Sequence, residues 1–597
     1  MTAPNPLFDD RLVDLLLESV ADLPSLASWP AFADQSYDSY RLVLDAARRL
    51  ARGPLFEAYR PMDQEPPRYE GGRVHAHPAM RRLYPLLVET GLLAAARPPE
   101  VGGLGLPLTL TSVASAYLMA GNLGAYGYLG LTAGAAHLLE AFGGDELRAR
   151  LMAPLYEGRW TGTMALTEPQ AGSSLADVAT RARRGGPGGS YLIEGSKVFI
   201  SGGDHDLAEN IVHMVLARVE GAPPGVKGVS LFAVPRLRPE GGGLAPNDVQ
   251  CTGLFHKMGW RGIASVALSF GEGGDCRGYL VGEENRGVAY MFQMMNEARL
   301  MVGFNGVATA SVAYHEALAY ARSRPQGRPP GARDPRSPQV PIVEHADVRR
   351  MLLRQKAIVE GGLGLLVAAA RFADASAHAP DAAERERAAL LLDLLTPVAK
   401  SFPAEYGFEA NALAVQVHGG YGYTSEYLPE AWLRDQKLNS IHEGTTGIQG
   451  LDLLGRKVMA GGGAAFRALE AEVSGGLARA RRAGVESAWC DEVARALGVA
   501  AALTAELGGR GLAGDVDGML RHSADYLALL SVLLVAWQLV AQAGAALERG
   551  DALPPAFVEG KLRAARYWLS TELPRVELWA ALCRGDDSYA LMPADAF

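Results

Sequence analysis

A chain of 597 residues is long enough for several domains around a large buried core. Its apolar content of 49%, charged content of 21% and mean hydropathy near zero are those of an ordinary soluble globular protein. The net charge of −9 argues against nucleic acid as the main partner and leaves room only for a local basic patch. The four cysteines, Cys251, Cys276, Cys490 and Cys583, are far apart and form no C-x-x-C pair, so neither a disulfide framework nor a zinc site is expected, and a reducing cytoplasm fits. The first ten residues lack the basic and apolar regions of a signal peptide.

Taken in order, residues 1 to 158 read as a helical domain. Arg11–Leu17, Tyr40–Ala47 and Met80–Val88 carry apolar residues at three- and four-residue spacing. The stretch from Arg60 to Arg73, rich in Pro, Gly and charge, reads as a loop. Pro98–Leu106 is a Gly-rich turn without the strand and G-x-G-x-x-G of a dinucleotide site. Thr109–Leu139 predicts two buried helices. From 159 to 282 the period changes. Thr161–Leu166, Tyr191–Ile193, Lys197–Ser201, Ile211–Ala217, Val229–Val234 and Ser265–Phe270 are strand-forming runs separated by Gly-Pro clusters, which predicts an inserted β-domain of six to eight strands.

Helices resume over 283–460, interrupted by the Pro/Arg/Gly loop Pro325–Pro341. Gly461–Gly463 marks a boundary, and 461–597 reads as a further helical domain. Tyr526–Leu547 is apolar and of membrane-spanning length, but Gln538 and Gln542 interrupt it, and a buried bundle helix rather than a span is expected.

One stretch, Ile441–Gln449, draws the chain together. Thr446 and Gln449 have the T-x-x-Q spacing of a capping box, which starts a helix at Thr446 and leaves Glu443 in the turn before a helix N-terminus. A carboxylate there, beside Ile441 and Gly444, is free to point into a cavity, and an apolar cavity would raise its pKa toward the range of a base. Read alone, it is more readily a solvated loop glutamate. A second stretch, Met164 to Ser174, runs from a strand into a turn made of Pro169, Ala171 and Gly172. Its backbone N–H groups and the Thr167 and Ser173 hydroxyls suit a planar, hydrogen-bonding ligand such as a flavin.

The second stretch resembles the T-E-P-x-A-G-S-D signature of the acyl-CoA dehydrogenases, with Ser174 in place of Asp. Ile441–Gln449 is similar to their I-Y-E-G-T-x-x-I-Q segment, with His442 in place of Tyr. Glu194–Gly202 resembles N-G-x-K-x-W-I-(T/S)-N, with Phe199 in place of Trp. Asn296 and Arg299, Ala321–Arg328 and Gln416–Gly422 match three further segments, so that six matches follow in the family's order from about 98 to 457. The flanks, including Val281–Gly287, Leu433–Lys437 and the helical extension, resemble a long bacterial branch of that family.

The resemblance implies a mainly α fold with an inserted β-domain, a C-terminal helical bundle and an extra C-terminal helical domain. It implies FAD, contacted by Met164, Leu166, Thr167, Gly172, Ser173, Phe199, Ser201, Arg324, Gln416, Gly419, Gly420, Thr445 and Gly447. It makes Glu443 the base and puts Ser173, Asn296, Arg299 and Gly444 on the substrate side, with Arg299 favouring the ionised base. No metal is implied. In the family, the Arg and the Gly pair reach the FAD of a neighbouring subunit, which implies a homo-oligomer; a dimer is favoured over a tetramer, and the sequence does not fix which. The implied reaction is α,β-desaturation of an acyl-CoA, with the Glu443 N–H and a flavin ribityl hydroxyl stabilising the enolate and an electron-transfer flavoprotein as acceptor. An acyl-CoA oxidase, a dehydrogenase of carrier-protein-bound acyl groups and a non-catalytic or DNA-associated relative remain as alternatives.

Overall fold

The structure is a computed structural model. It describes residues 4–332, Asp334, 336–585 and 589–597, and of residues 292–296 the backbone alone. The first helices are α1 (Asp10–Leu15), α2 (Leu23–Leu26), α3 (Tyr37–Leu50) and α4 (Phe56–Gln64). Asp9 caps α1 by accepting from the Arg11 N–H. A π-turn, Ala51–Leu55, joins α3 to α4 and carries Pro54, whose missing N–H a regular helix would have needed.

The stretch from Arg60 to Arg73 is therefore not a loop. Its first residues finish α4 through Pro61, and its remainder forms the hairpin β1 (Arg68–Glu70) and β2 (Arg73–His75). Gly71 and Gly72, at φ of 58° and 77°, supply the two left-handed residues that a two-residue hairpin turn needs. Next come α5 (Met80–Glu89), α6 (Leu108–Phe142) and α7 (Asp145–Tyr156). Helix α6 is two helices, as its sequence predicts, broken at the buried Asn122 (φ −162°, ψ 96°). The Asn122 side chain donates to the Leu55 carbonyl and accepts from the Ala125 N–H, so it caps the second half.

The β-domain comprises β3 (Trp160–Ala165), β4 (Arg181–Arg183), β5 (Tyr191–Ser201), β6 (Asn210–Val219), β7 (Val229–Pro235), β8 (Leu237–Glu240), β9 (Gly243–Pro246), β10 (Val249–Leu254), β11 (Ser265–Phe270) and β12 (Arg277–Leu280). Eight of them form one sheet in the order β10-β11-β5-β12-β7-β6-β3, with β4 against β5 and β6, and β8–β9 is a separate hairpin. The two runs Tyr191–Ile193 and Lys197–Ser201 are halves of one strand, β5, whose first half pairs with β12 and whose second pairs with β11. Gly162 is needed where β3 meets α6, because a Cβ there would lie 2.4 Å from that of Ala135.

Then follow α8 (Gly287–Ser323), α9 (Ala346–His378), α10 (Ala382–His418), α11 (Pro429–Lys437) and α12 (Thr446–Asp452). The C-terminal helices are α13 (Ala460–Arg482), α14 (Ser487–Leu512), α15 (Val516–Leu520), α16 (Ser523–Arg549), α17 (Pro555–Thr571) and α18 (Arg575–Arg584). The left-handed Gly461–Gly463 break the start of α13 where the sequence marks a boundary. Helix α16 is apolar and long enough to cross a membrane, yet 89% of its most apolar window is buried in the fold, and Gln542 donates to the Glu360 carbonyl of α9.

By contact density the chain divides into two compact units. One comprises Met1–Ser39, Pro107–Val113 and Arg299–Phe597, and the other comprises Tyr40–Leu106 and Ala114–Ala298.

Candidate active site

In the second of these units, the turn after β3 is held by an internal network. Lys197, wholly buried on β5, donates 2.7 Å to the Glu168 carboxylate and 3.0 Å to the Leu166 carbonyl. Glu168 also accepts from the Ala179 and Thr180 N–H groups and the Thr180 hydroxyl. Burial pushes the Glu168 carboxyl up, but the Lys197 charge and these hydrogen bonds outweigh it and hold the group down at about 2. Glu168 and Ala171 close a tight turn through reciprocal backbone bonds, and the Val198 N–H donates to the Thr167 carbonyl. The T-E-P segment and the G-x-K segment are thus one construction, with Glu168 and Lys197 inside and Thr167, Gly172 and Ser173 left toward the surface.

Phe199 sits at an irregularity of β5. Between the pairs Val266↔Ile200 and Leu268↔Lys197, two residues of β5 oppose one of β11. Phe199 takes the left-handed place of this bulge (φ 61°), a position usually given to glycine. Its ring is 63% exposed and leans on Phe255 at 4.5 Å. Among the described residues the Thr167, Ser173 and Ser201 hydroxyls have no partner in the chain. An exposed aromatic face, free hydroxyls and the open space at Gly172 fit a flavin ring system. Met164 and Leu166 are half-buried in the same region. The Ser174 hydroxyl donates to Asp177, so a carboxylate stands three residues beyond the place where the family motif has one.

In the other unit, Glu443 occupies a left-handed turn (φ 54°). Phe199 and Glu443 are two of only seven described non-glycine residues with positive φ, each costing roughly 1–2 kcal/mol. The capping expected of Thr446 is made by Thr445, whose hydroxyl accepts from the Ile448 N–H. An N-cap needs an extended backbone, which Thr445 has (ψ 163°), whereas Thr446 is already the first helical residue and its hydroxyl donates to Glu405. Gln449 does not close a capping box either. Its amide donates backwards, 3.0 Å to the Glu443 carbonyl and 3.3 Å to that of Gly444.

Glu443 keeps part of its surface accessible, but protein atoms crowd its carboxyl, and this burial raises its pKa against the lowering effect of the Arg299 and Lys400 charges. Arg299, buried on α8, is paired with Asp452 of α12 at 2.9 Å, a partner that the sequence did not disclose. Lys400 was also missed. It lies on α10, fully buried, and donates 2.8 Å to the Gly444 carbonyl. Burial, then the Lys400 charge, depress His442 to about 3, so it is neutral beside Glu443. The Asn296 side chain lies outside the described residues.

Elsewhere in this unit, the Arg324 guanidinium stands 5.6 Å over the Tyr421 ring, which brings the segments Ala321–Arg328 and Gln416–Gly422 together. Gln416, Gly419 and Gly420 are exposed, and Gly419 (φ 61°) has open space where a side chain would be. Gly447 is exposed as well.

Comparison with known proteins finds similarity along nearly the whole chain. Residues 39–159 match the acyl-CoA dehydrogenase N-terminal domain, 163–272 the middle domain and 285–459 the C-terminal domain. The chain belongs to the acyl-CoA dehydrogenase family. Residues 468–593 match the acetyl-CoA dehydrogenase C-terminal-like domain, so the extension is a family element too. The 3-methylmercaptopropionyl-CoA dehydrogenase of Ruegeria pomeroyi is 40% identical over 81% of this chain and 82% of its own. The broad-specificity linear acyl-CoA dehydrogenase of Mycobacterium tuberculosis is 34% identical over 91% of each. Among solved structures, the Bacillus anthracis acyl-CoA dehydrogenase complexed with FAD superposes with a TM-score of 0.75 at 20% identity, covering 96% of this chain and 92% of that one. That likeness speaks for the fold alone. An acyl-CoA dehydrogenase is an enzyme, and this chain is of that class.

Proposed function

We propose that this protein desaturates an acyl-CoA thioester between its α and β carbons, with FAD as cofactor and Glu443 as base. The observation that carries the reading is the state of Glu443: a carboxyl held in a strained turn, made more basic by burial and kept ionisable by Arg299 and Lys400. Thr167, Ser173, Ser201, Phe199, Met164, Leu166 and Gly172 would hold the flavin ring, and Thr445 and Gly447 would contact it from the turn after the base. Arg324, Gln416, Gly419 and Gly420 would hold the adenine half. FAD, when bound, supplies the acceptor for the hydrogen that leaves the β carbon with its electron pair.

The chain's own part is proton transfer and charge control. Glu443 takes the α proton. The α C–H of a thioester is a much weaker acid than a carboxylic acid, so the developing enolate oxygen needs a donor. The Glu443 N–H supplies one, worth on the order of 3 kcal/mol in a dry site. Burial of the carboxyl narrows the gap between acid and base from the other side. Arg299 and Gly444 would stand on the substrate side, with Asn296 three positions before Arg299 in sequence. We further read the protein as a cytoplasmic homodimer that passes electrons to an electron-transfer flavoprotein.

The test is an anaerobic titration of the purified holoprotein with a panel of acyl-CoAs, following the flavin band at about 450 nm. Bleaching by one thioester, lost in Glu443→Gln with flavin retained, is expected. Flavin that no thioester bleaches, or a protein without flavin, would refute the reading. Rapid peroxide formation in air would move the acceptor from a flavoprotein to oxygen.

A further inference from the structure

The Glu443–Gly444 turn is gripped from behind by two donors. The Lys400 ammonium reaches the Gly444 carbonyl at 2.8 Å, and the Gln449 amide reaches both the Glu443 and the Gly444 carbonyls. Both peptide planes next to the base are thereby fixed in a conformation that a glutamate does not favour.

Lys400 is an unusual group to find there. Its neighbours on α10 from Thr396 to Ala404 are all buried, so it is a lone cation in an apolar helix segment. Among the described residues no carboxylate lies within ion-pair distance of it, whereas the buried Lys197 and Lys457 each have one. An aliphatic side chain would fill the same volume without the desolvation cost of an ammonium. Packing alone gives no reason for a lysine at this position, but a base that must stay ionised does. The charges that bear on Lys400 are Glu405 on its own helix, Glu443 in the turn and Arg299 on α8. Asp452 of α12 is occupied with Arg299, Glu405 bonds the Thr446 hydroxyl, and His442 is neutral.

We propose that Lys400 is the positioning residue of the base: its ammonium locks the Gly444 carbonyl and adds its positive charge to that of Arg299 in favouring the ionised form of Glu443. The proposal rests on Glu443 being the base. It makes the protonation of Lys400 a condition of turnover. Burial lowers the Lys400 pKa to about 8, with Glu405 and Glu443 opposing, so the ammonium is lost within an accessible pH range.

The experiment is anaerobic stopped-flow bleaching by the acyl-CoA that reduces the wild-type holoprotein, over roughly pH 6 to 10. The wild-type rate should rise as Glu443 ionises and fall again near pH 8 as Lys400 loses its proton. Lys400→Gln can still donate a hydrogen bond but carries no charge, and it should lose the alkaline fall. Lys400→Met removes donor and charge, and should retain its flavin absorbance while slowing on the order of 100-fold below pH 8, where the wild type keeps its ammonium. The proposal is overturned if the wild type shows no alkaline fall, or if Lys400→Gln keeps it. A wild type without the alkaline fall overturns the proposal even if a variant loses its flavin, whereas assigning a fall that is seen to Lys400 rather than to Lys197 or Lys561 requires the Lys400→Gln profile. A wild type that no thioester bleaches would refute the reading of Glu443 itself, before any variant is made.

Discussion

Replacing Lys197 by methionine removes a cation that nothing else can supply. Lys197 is fully buried, and Glu168 is 4% exposed. Their contact of 2.7 Å and the second bond to the Leu166 carbonyl disappear together, while Glu168 keeps only neutral donors. Removing one partner of a buried pair costs about 3–5 kcal/mol, because the other charge is stranded. For a unit of this size that lowers the melting temperature by roughly 10 °C. The double variant Glu168→Gln with Lys197→Met strands no charge and should recover at least half of the loss.

The assay is thermal unfolding followed by tryptophan and flavin fluorescence, arranged as a double-mutant cycle. Its pH dependence has a fixed sign. The Glu168 carboxyl, held at about 2, contributes stability that is present above the unfolded carboxylate pKa and is lost as pH falls through 2. A loss under about 1 kcal/mol in Lys197→Met, or a double variant that loses the sum of the singles, would refute the reasoning.

Glu443→Gln should be more stable than the wild type at pH 8 and nearly equal to it at pH 4. A carboxyl raised in the fold stabilises the protein below its unfolded pKa and loses that contribution as pH rises through the folded value, and an amide has no such dependence. Parallel melts at the two pH values check this. Gly450→Ala would place a Cβ 2.7 Å from the Ser523 carbonyl, where α12 passes the start of α16. It should cost about 1–3 kcal/mol by overpacking and slow flavin bleaching, since α12 carries both Gln449 and Asp452; a variant as fast and as stable as the wild type contradicts this.

The parts legible in the sequence were those that are contiguous in it. Thr167–Ser174, Glu194–Gly202 and Ile441–Gln449 each keep their motif within one short segment. The long helices and main strands follow from the periodicity of their apolar residues. What escaped depends on contacts between distant segments. Lys400 meets Gly444 only because α10 runs behind the turn, and in sequence its one sign was a lone lysine between Val398 and Phe402. Asp452 gave no sign that it pairs with Arg299, 153 positions away. The residues after Arg60 looked like a loop because Pro61 outweighed the helix around it, although Gly71–Gly72 was itself a hairpin signal. Gln449 had the right spacing for a capping box, but spacing does not show which way an amide turns.

The division of the chain also sets an order of events during synthesis. Everything from Tyr40 to Leu106 and from Ala114 to Ala298 is available once residue 298 has been made, so the unit that holds the β-domain can close early. The unit that holds Glu443 has to wait. Its first segment bonds to the chain far downstream, through Asn5 to the Val312 carbonyl, Ala21 to Arg371 and Glu18 to Arg549, the last across 531 positions. Its N-terminal helices must therefore remain without these partners for most of the time the ribosome takes to reach α16, and folding of that unit is paced by the arrival of its final third.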